Sequence, residues 1–488
     1  MARVKLDLNP ALTDLNGMTR LLLLSSAAFI VTACQAATAE RVSPVNTAAI
    51  ERGAVLYAEY CSSCHGKNLE GGQAPSLADD VWTYGGSAAE LTASITEGIE
   101  EVGMPEFGSA FSEGQISDLV TYVKQGSAVK TVKAIDDVRS VEDLVKIEDW
   151  ATDLDEPWGV EFIGDNLALV TEKSGTLWMV GNGSRMEVKG IPASVDKRQG
   201  GLLDVAIDPD YAENGWVYLS FTHADTSDSD ALQTKIVRGK IPMGTVSLKW
   251  TDEQTLFQAK PEDYIKTGFH FGSRITFDDK GHLYFGIGDR GNKEEAQDLT
   301  RPNGKIHRIM RDGSIPRDNP FVDVEGAYPS IYSYGNRNPQ GTVVHPESGV
   351  VWETEHGPRG GDELNVIKLG VNYGWPKISY GINYNGTELT PHTALPGMVQ
   401  PVSQWTPSIA VCGLDVYTGD LFPEWKGRLL VGALAYQTVR LVDVDGETYR
   451  GEATLIKDKG RVRDVTTGPD GAIYVALPDR IVRVSPKD

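Results

Sequence analysis

The sequence predicts an all-β six-bladed propeller preceded by a small all-α domain. After residue 144, a pattern of an apolar strand, a turn and a second alternating strand recurs six times. Before it, apolar residues at helical spacing surround a single cysteine motif. The length of 488 residues exceeds that of one ordinary domain, and a hydrophobic content of 40% is enough to build real cores.

The first 34 residues are predicted to be a targeting segment. Arg20 precedes the apolar run Leu21–Thr32, and a basic start followed by a short apolar stretch is typical of a secretory signal. The run is too short to span a bilayer. Residues 1–17 do not match a signal, so Met18 is the more natural start of the chain.

The signal ends in Val31-Thr32-Ala33-Cys34, which resembles a bacterial lipobox. We therefore expect Cys34 to be lipidated and to begin the mature chain, with simple cleavage at a similar site as the alternative. Gln35 follows instead of Asp, which favours the outer membrane. This predicts a periplasmic protein that is held at the membrane only by its lipid, through a tether over residues 35–46.

Charge and cysteine content exclude two classes of protein. The formal net charge of -22 argues against a nucleic-acid partner, which requires a basic surface. Four cysteines are present, of which three belong to the lipobox and the motif below, so no disulfide framework is expected. The fourth, Cys412, lies in an apolar stretch and is predicted to be a small buried hydrophobe.

The most specific motif is Cys61-Ser62-Ser63-Cys64-His65. A C-x-x-C-H segment attaches c-type haem: Cys61 and Cys64 form the thioethers and His65 is the proximal iron ligand. A redox or zinc pair is the alternative. The adjoining histidine, the export signal and the absence of a second cysteine pair favour haem c.

A second axial ligand is expected downstream of the motif. Met104 stands between Gly103 and Pro105, and a thioether ligand raises the reduction potential of haem iron. The alternative is that Met104 packs in the core. Helices are predicted over 48–60 and 112–124, the second with Ser112 as N-cap. Residues 47–127 together resemble a small class I cytochrome c, which implies electron transfer to or from a partner domain.

A polar linker is predicted over residues 128–143, and the propeller over 144–488. Period-two alternation identifies the six repeats as half-buried strands, and the turn-punctuated spacing is typical of propeller blades. A β-sandwich or two stacked barrels is the alternative. Val145–Trp150 is expected to complete the blade of the final strand, Ile481–Val484, and so to leave no free edge. The repeats begin at Gly159, Leu203, Ile275, Gly341, Gly413 and Val465.

Three loops carry side chains suited to chemistry. Arg461 and Arg463 alternate onto one face and suit a multiply charged carboxylate ligand, unless they form a solvated face with Asp464 as partner. Residues 355–363 combine acids with glycines whose carbonyls can turn inward, which favours Ca²⁺. His270 lies between aromatic residues and glycines and is a candidate base, although a lone histidine is more often structural.

These loops resemble one family. The segment from Trp150 to the C-terminus resembles the soluble PQQ-dependent aldose sugar dehydrogenases and, more distantly, soluble quinoprotein glucose dehydrogenase, where PQQ is pyrroloquinoline quinone. The segments that carry the resemblance are Arg198–Leu203, His270–Arg274, Arg337–Pro339, Glu355–Glu363, Asn372–Pro376, Arg461–Asp464 and Gly468–Gly471.

The resemblance implies a role for each matching residue. His270 would be the base that takes the proton of the anomeric hydroxyl while hydride passes to PQQ. The carbonyls of Gly357 and Pro358 would bind Ca²⁺ at PQQ, and Glu363 with the carbonyl of Tyr373 would bind a structural Ca²⁺. The residues expected to hold PQQ are Gln199, Arg337, Asn338, Arg461 and Arg463, and Trp405 is expected to flank the sugar.

Two positions depart from the pattern of the glucose dehydrogenases. Ala435 stands where that pattern carries a lysine that contacts the cofactor, so one cation toward PQQ is lost. Phe269 precedes the candidate base where an acid would give it a polar neighbour. The missing cation at Ala435 predicts a different affinity for PQQ or a different redox tuning, and Phe269 leaves the candidate base without one polar neighbour.

Three functions remain open at this stage. The first is an enzyme that oxidises aldose sugars to lactones and passes electrons through PQQ and the fused haem to a respiratory acceptor. The second is a non-enzymatic haem lipoprotein whose propeller binds carbohydrate or a partner. The third is a Ca²⁺-dependent lactonase, which needs no haem. Three arginines at separate positions favour the first, because a polyanionic cofactor explains them.

Overall fold

A computed structural model describes most of the chain. The described residues are 47–65, 69, 74, 77, 82, 84–99, 102, 104–126, 139–181, 183–243 and 247–487. The predicted signal segment with Met18, the lipidation site Cys34 and the tether over 35–46 lie outside them, as do residues 127–138 of the linker region. None of the helices within these ranges is long and apolar enough to cross a membrane.

The region before residue 127 is described as four helices. They are α1 (Thr47–Tyr60), α2 (Ser62–His65), α3 (Ala88–Glu97) and α4 (Glu113–Gly126). Helix α3 begins at a capping box, in which Ser87 and Glu90 satisfy each other's backbone N–H groups. Ser112 caps α4 as predicted, since its Oγ accepts from the N–H of Gln115 at 3.4 Å.

Helices α1 and α4 share one hydrophobic core. The rings of Tyr57 and Tyr122 lie 5.2 Å apart. Leu119 belongs to the same core and is 1% exposed. The predicted helices over 48–60 and 112–124 are therefore present, the second shifted by one residue at its start and extended to Gly126.

The rest of the described chain is a six-bladed β-propeller, as predicted, and each blade is a four-stranded antiparallel sheet. Blade 1 is β2 (Pro157–Gly164), β3 (Leu167–Glu172), β4 (Thr176–Gly181) and β5 (Ser184–Glu187). Blade 2 is β6 (Leu202–Ile207), β7 (Trp216–Ala224), β8 (Leu232–Lys240) and β9 (Thr251–Gln258), with the short helix α5 (Tyr211–Asn214) between β6 and β7. Blade 3 is β10 (Ile275–Phe277), β11 (His282–Ile287), β12 (Lys305–Met310) and β13 (Ile331–Tyr334).

The last three blades follow the same order. Blade 4 is β14 (Pro339–Val344), β15 (Val351–Glu355), β16 (Asp362–Ile367) and β17 (Ser403–Trp405). Blade 5 is β18 (Val411–Val416), β19 (Leu429–Ala433), β20 (Val439–Asp445) and β21 (Thr448–Ile456). Blade 6 is β22 (Asp464–Thr467), β23 (Ile473–Leu477), β24 (Arg480–Pro486) and β1 (Val145–Ala151), which comes from the N-terminal end of the propeller sequence.

Blade 6 closes the ring in the predicted way. Strand β1 pairs antiparallel with β24, from Val145 opposite Pro486 to Ala151 opposite Ile481. The chain contacts the propeller even earlier, because the N–H of Val141 donates to the carbonyl of Thr454 at 2.8 Å. The predicted linker, which was expected to reach residue 143, thus ends in residues that pair with β21.

The core lies between neighbouring blades. In the cluster between blades 2 and 3, Tyr218 and Ile236 pack against Phe285 and Ile309, and each of the four is at most 1% exposed. Burial of such large apolar side chains is worth about 1.5–3 kcal/mol each and fixes the angle between adjacent sheets. The first strand of each blade contacts the first strands of its two neighbours, so these strands form the inner ring of the propeller, and the loops that lead into them carry the predicted site residues. Cys412 is fully buried, as predicted.

Candidate active site

One end of the propeller gathers most of the predicted site residues. His270 leads into β10, Arg337 and Asn338 lead into β14, and Arg463 leads into β22. The turn from Glu355 to Asp362 joins β15 to β16 at the same end. We call this end the mouth.

His270 pairs with a carboxylate that the sequence analysis missed. Its Nδ1 lies 2.6 Å from Oδ1 of Asp289, which follows β11. Asp289 is 1% exposed, and its Oδ2 accepts a hydrogen bond from the indole N–H of Trp375 at 2.7 Å. The polar neighbour that Phe269 does not supply is therefore supplied by Asp289. The available signal was the Gly288-Asp289-Arg290-Gly291 turn, which places an acid directly after a buried strand at this end of the propeller.

The electrostatics of this pair favour a neutral imidazole and an ionised carboxylate. Burial lowers the pKa of His270, the positive charge of Arg337 lowers it further, and the hydrogen bond to Asp289 opposes both. Burial alone would raise the pKa of Asp289, but the hydrogen bond from His270 and the charge of Arg337 bring it below its ordinary value. An ionised carboxylate only accepts, so Nδ1 carries the hydrogen and Nε2 keeps its lone pair.

The loop that carries His270 is held from two sides. The side-chain carbonyl of Gln199 accepts from the backbone N–H of His270 at 2.7 Å. Arg290 donates to the carbonyls of Thr267 and Phe269 at 2.8 and 3.1 Å, and its guanidinium lies 3.5 Å from the ring centre of Phe271. His270 has a φ of 55°, a left-handed conformation that a surrounding structure must enforce. The imidazole is 14% exposed and is thus reachable from the mouth.

The predicted arginines lie at the mouth without carboxylate partners. Within the described part of the chain, neither Arg337, Arg461 nor Arg463 has a carboxylate oxygen within 4.0 Å. Arg337 donates to the carbonyl of His356 at 3.0 Å, but its buried Nε has no hydrogen-bond partner among the described residues. Burial lowers the pKa of His356 to about 3, and the positive charges of Arg337 and Arg463 lower it further.

The other predicted cofactor residues occupy different positions. Asn338 is 1% exposed, and its Oδ1 accepts from Gln340 at 3.2 Å. Arg461 is exposed, and buried Val462 separates it from Arg463, whose guanidinium approaches the sulfur of Cys412 at 3.6 Å. Strand β22 begins at Asp464, so the pair of arginines precedes the strand. Ala435 lies just past β19, with its N–H bonded to the carbonyl of Ile409.

A small acidic cavity lies beside this cluster. Its volume is about 10 Å³, close to the minimum that holds one water molecule or ion. Burial raises the pKa of Glu355 to about 7, and that of Glu363 well above its ordinary value. The cavity is lined by all four predicted calcium ligands, namely Gly357, Pro358, Glu363 and Tyr373, together with Arg337, Glu355, His356, Gly361, Trp375, Ile378 and Ser379.

The buried carboxylates around this cavity fit a cation. Asn365 donates to Glu353 at 3.1 Å and lies 3.4 Å from Glu355 and 3.3 Å from Glu363, so one amide is shared among three acids. Oε1 of Glu353 and Oδ1 of Asn365 are buried, and no described residue hydrogen-bonds to either oxygen. In the residues described, no three His, Cys, Asp or Glu side chains already form a metal site, so backbone carbonyls would have to complete the ligand set.

The arginines fit an anionic cofactor for a similar reason. A buried guanidinium N–H without a partner, as at Arg337, is costly unless a ligand accepts from it. Carboxylates are the groups that arginine binds best, in fork-like pairs. The mouth thus combines unpaired cations, a fixed base and a cation-sized acidic cavity, which suits a carboxylate-bearing quinone.

Trp405 is not available to flank a sugar. It is 1% exposed and packs in the core of blades 4 and 5, where its indole N–H lies 3.1 Å from Glu452. The register of β17, with Trp405 opposite Asp362, turns it inward. The prediction for this residue is therefore wrong. Exposed aromatic surface at the mouth comes instead from Phe269, which is 39% exposed next to the base.

The predicted haem ligands lie only partly within the described residues. The N–H of Cys61 donates to Tyr57 at 2.9 Å, and that of His65 donates to Cys61 at 3.0 Å, so Cys61 and His65 are one helical turn apart. Met104 is half-buried in a tight turn paired with Ile99. The side chain of Cys64 lies outside the described residues, and Met104 as an axial ligand stays a prediction.

Comparison with known proteins assigns both regions. The glucose/sorbosone dehydrogenase family model matches residues 154–483, and that of cytochrome c oxidase, cbb3-type, subunit III matches residues 48–123. Aldose sugar dehydrogenase YliI of Escherichia coli is 39% identical over 69% of this chain and 91% of its own length. The crystal structure of the soluble aldose sugar dehydrogenase from E. coli in the apo form gives a TM-score of 0.67 at 38% identity, and covers 70% of this chain and all of that one.

A further solved structure carries a cofactor. The PQQ-bound form of aldose sugar dehydrogenase from Streptomyces coelicolor is 27% identical, with a TM-score of 0.59, over 70% of this chain and 98% of that one. These relatives are oxidoreductases that share the propeller described above. The chain belongs to the glucose/sorbosone dehydrogenase family and carries a cytochrome c domain of the cbb3 subunit III type ahead of its propeller.

Proposed function

We propose that this protein oxidises aldose sugars to lactones with PQQ, and passes the electrons through its own haem c to a respiratory acceptor. The observation that carries the proposal is the His270–Asp289 pair at a mouth where Arg337 has a buried, unpaired N–H. A neutral base beside unpaired cations suits removal of a hydroxyl proton next to an anionic oxidant. The sugar-dehydrogenase relatives support the same reaction class.

Bound PQQ would supply the two-electron acceptor for the sugar. Gln199, Arg337, Asn338, Arg461 and Arg463 would hold it, with the arginines binding its carboxylates. Gln199 has a second role, because its side-chain carbonyl already fixes the backbone of His270. Ala435 leaves the mouth with one positive charge fewer than the lysine-bearing pattern.

His270 would take the proton of the anomeric hydroxyl at Nε2. Asp289 holds the ring in the tautomer that leaves Nε2 free and stabilises the imidazolium once the proton arrives. Trp375 fixes the carboxylate in turn, so the base is aimed at the mouth before the sugar enters. Transfer of the hydroxyl proton to His270, and of the hydride from the anomeric carbon to the bound quinone, would convert the sugar to its lactone.

Calcium would occupy the acidic side of the mouth. Carbonyl oxygens of Gly357 and Pro358 would face a Ca²⁺ ion at the quinone, and Glu363 with the carbonyl of Tyr373 would bind a structural one. Oxygen ligands of both kinds are those that Ca²⁺ prefers. Their arrangement around a cavity of about 10 Å³ supports at least one ion there.

The N-terminal region would act as a small all-α cytochrome c. Cys61 and Cys64 would attach the haem, and His65 and Met104 would bind its iron. We place the protein in the periplasm, anchored to the outer membrane through a lipid on Cys34, where a respiratory acceptor could reoxidise the haem.

A substrate panel on protein reconstituted with Ca²⁺ and PQQ tests the proposal. An aldose should reduce the haem, seen in its visible spectrum, and yield the lactone. If no aldose reduces either the haem or an artificial acceptor, the proposal fails. Hydrolysis of a lactone without haem reduction would identify a Ca²⁺-dependent lactonase, and carbohydrate binding without turnover a binding propeller.

A further inference from the structure

A long connection in blade 4 forms an ordered surface. Between β16 and β17, residues 377–400, which we call the platform loop, are tied by their own hydrogen bonds. Ser379 donates to the carbonyl of His392 at 3.0 Å, Thr390 to that of Lys377 at 2.8 Å, and the hydroxyl of Tyr380 to Gln400 at 2.7 Å. A long loop held in this way is typical of a functional element.

The platform loop lies directly against the mouth. Ile382 and Arg359 exchange two backbone hydrogen bonds, at 2.9 and 3.1 Å. Gly381 is packed so closely that a Cβ there would lie 2.3 Å from the carbonyl oxygen of Gly360 and 2.7 Å from Pro358. The loop therefore rests on the turn that carries the predicted calcium ligands.

The other side of the platform loop contacts the haem region. Ala394 packs against the hydrophobic core of α1 and α4, the core that also includes the half-buried Cys61. In that core the ring of Tyr122 of α4 lies tilted against that of Tyr57, with 5.2 Å between the ring centres, and the carbonyl of Tyr57 accepts from the N–H of Cys61.

We propose that the platform loop is the docking surface for this chain's own cytochrome domain, and that it holds the haem beside the mouth for direct electron transfer. The proposal rests on the proposed function. Each sugar gives up two electrons, whereas one haem iron accepts one at a time, Fe(III) becoming Fe(II). The respiratory acceptor must therefore reoxidise the haem between the two transfers, while the protons leave to solvent.

Docking is distinct from tethering. The covalent connection through residues 127–138 already gives the haem region a high local concentration at the propeller, commonly in the millimolar range for short linkers. A docked domain adds a fixed orientation and distance, on which electron transfer depends. A variant that keeps the connection but blocks the contact separates the two effects.

Ala394→Arg is the test, because it places a long charged side chain in an apolar contact and leaves the mouth intact. The matched controls are Ala394→Ser, which keeps the size, and Tyr384→Ser, which alters a residue of the same loop that is 73% exposed. Three quantities are measured on the full haem-loaded chain: its maximum dimension by small-angle X-ray scattering without PQQ, the rate of haem reduction by sugar, and turnover with a small artificial acceptor.

Docking predicts that Ala394→Arg enlarges the maximum dimension and slows haem reduction by about tenfold or more, while artificial-acceptor turnover stays at the wild-type value. Both controls should match wild type. Unchanged dimensions and unchanged haem reduction in Ala394→Arg would overturn the docking proposal. If Ala394→Arg also lowers artificial-acceptor turnover, the smaller change Ala394→Leu replaces it with the same criteria.

The two proposals fail in different ways. If no aldose supports turnover with any acceptor, the proposed function is wrong, and scattering still decides whether the platform loop holds the cytochrome domain. If sugar reduces the artificial acceptor, but Ala394→Arg changes neither the maximum dimension nor the rate of haem reduction, the proposed function is supported and the docking proposal is wrong.

Discussion

Asp289 joins two distant segments of the chain at the mouth: its Oδ1 lies 2.6 Å from Nδ1 of His270, and its Oδ2 accepts from Nε1 of Trp375 at 2.7 Å. A carboxylate held at both oxygens cannot rotate, so the imidazole it binds is also fixed. The backbone N–H of Gly291 donates to the same carboxylate at 2.7 Å. The site is therefore prepared before substrate arrives, and the geometry makes the role of each residue testable.

His270→Gln should lower sugar turnover by about 10²–10⁴-fold, because glutamine cannot accept the proton. Affinity for PQQ should change little, since the proposed contacts to its carboxylates come from the arginines and not from His270. Steady-state kinetics and a PQQ titration measure the two quantities separately.

His282→Gln is the matched control. His282 forms an equivalent pair with Asp278, 2.7 Å apart, at the start of β11 and away from the mouth. Sugar turnover by His282→Gln should stay near that of wild type. Intact turnover in His270→Gln would show that another group is the base.

Asp289→Asn should lower kcat by about 10²-fold or more, because an amide can favour the wrong imidazole tautomer. The same change in Asp278 provides the control for loss of a carboxylate beside a histidine. A purely structural role for Asp289 would lower the melting temperature without moving the pH profile of kcat. A shifted acid limb identifies it as the residue that orients the base.

Protonation of His270 should occur below pH 6.5. Burial and the charge of Arg337 lower its pKa, so the imidazole is neutral at pH 7 and charges only on further acidification. An NMR titration of the PQQ-free protein, with His270→Gln to assign the signal, measures the midpoint. A midpoint above 6.5 would contradict the prediction.

The same shift has a consequence for stability. Between pH 6.5 and the lower native pKa, the unfolded chain binds the proton more readily than the folded one. The free energy of unfolding of wild type should therefore fall relative to His270→Gln as pH drops through this window. Equal slopes of unfolding free energy against pH in the two proteins would show that the pKa of His270 is not lowered in the folded protein.

The propeller could be predicted from sequence because alternation and turns are local signals. Val145–Trp150 was placed in the last blade only because a ring must close, and the structure pairs it there. The candidate base His270 and the arginines of the mouth could be predicted because they stand in loops of unusual composition. Asp289 was missed because its partners lie in other segments, and contacts between loops leave no local pattern.

Trp405 illustrates the opposite error. An aromatic residue near the predicted mouth suits a sugar, but strand register decides which way it faces, and one residue of slip reverses the face. Pairing with Asp362 turns Trp405 into the core. Similarly, Glu353 and Asn365 could not be connected to the predicted calcium ligands until β15 and β16 were seen to pair.

Calcium should stabilise the protein through Glu363. At a concentration of one hundred times its Kd, a bound ion adds about 2.7 kcal/mol to the free energy of unfolding. Glu363→Gln should abolish most of the rise in melting temperature that Ca²⁺ produces in wild type. Equilibrium melting in Ca²⁺ and in a chelator measures this rise in melting temperature for both proteins.

Glu452→Gln is the control for removing a buried glutamate. Glu452 is also buried, in blade 5, but its neighbours are Trp405 and Arg440. That variant should lose stability and still respond to Ca²⁺. An undiminished Ca²⁺ response in Glu363→Gln would place the ion elsewhere.

Met104→Ala tests the proposed axial ligand: loss of a thioether from the iron should change the visible spectrum and lower the reduction potential of the haem. Sugar oxidation with an artificial acceptor should stay at the wild-type rate, since the mouth is untouched. Met186→Ala, in a residue of blade 1 that is 48% exposed, controls for loss of a methionine. If the spectrum and potential of Met104→Ala match wild type, another residue is the axial ligand, and the half-buried Met104 only packs beside Ile99.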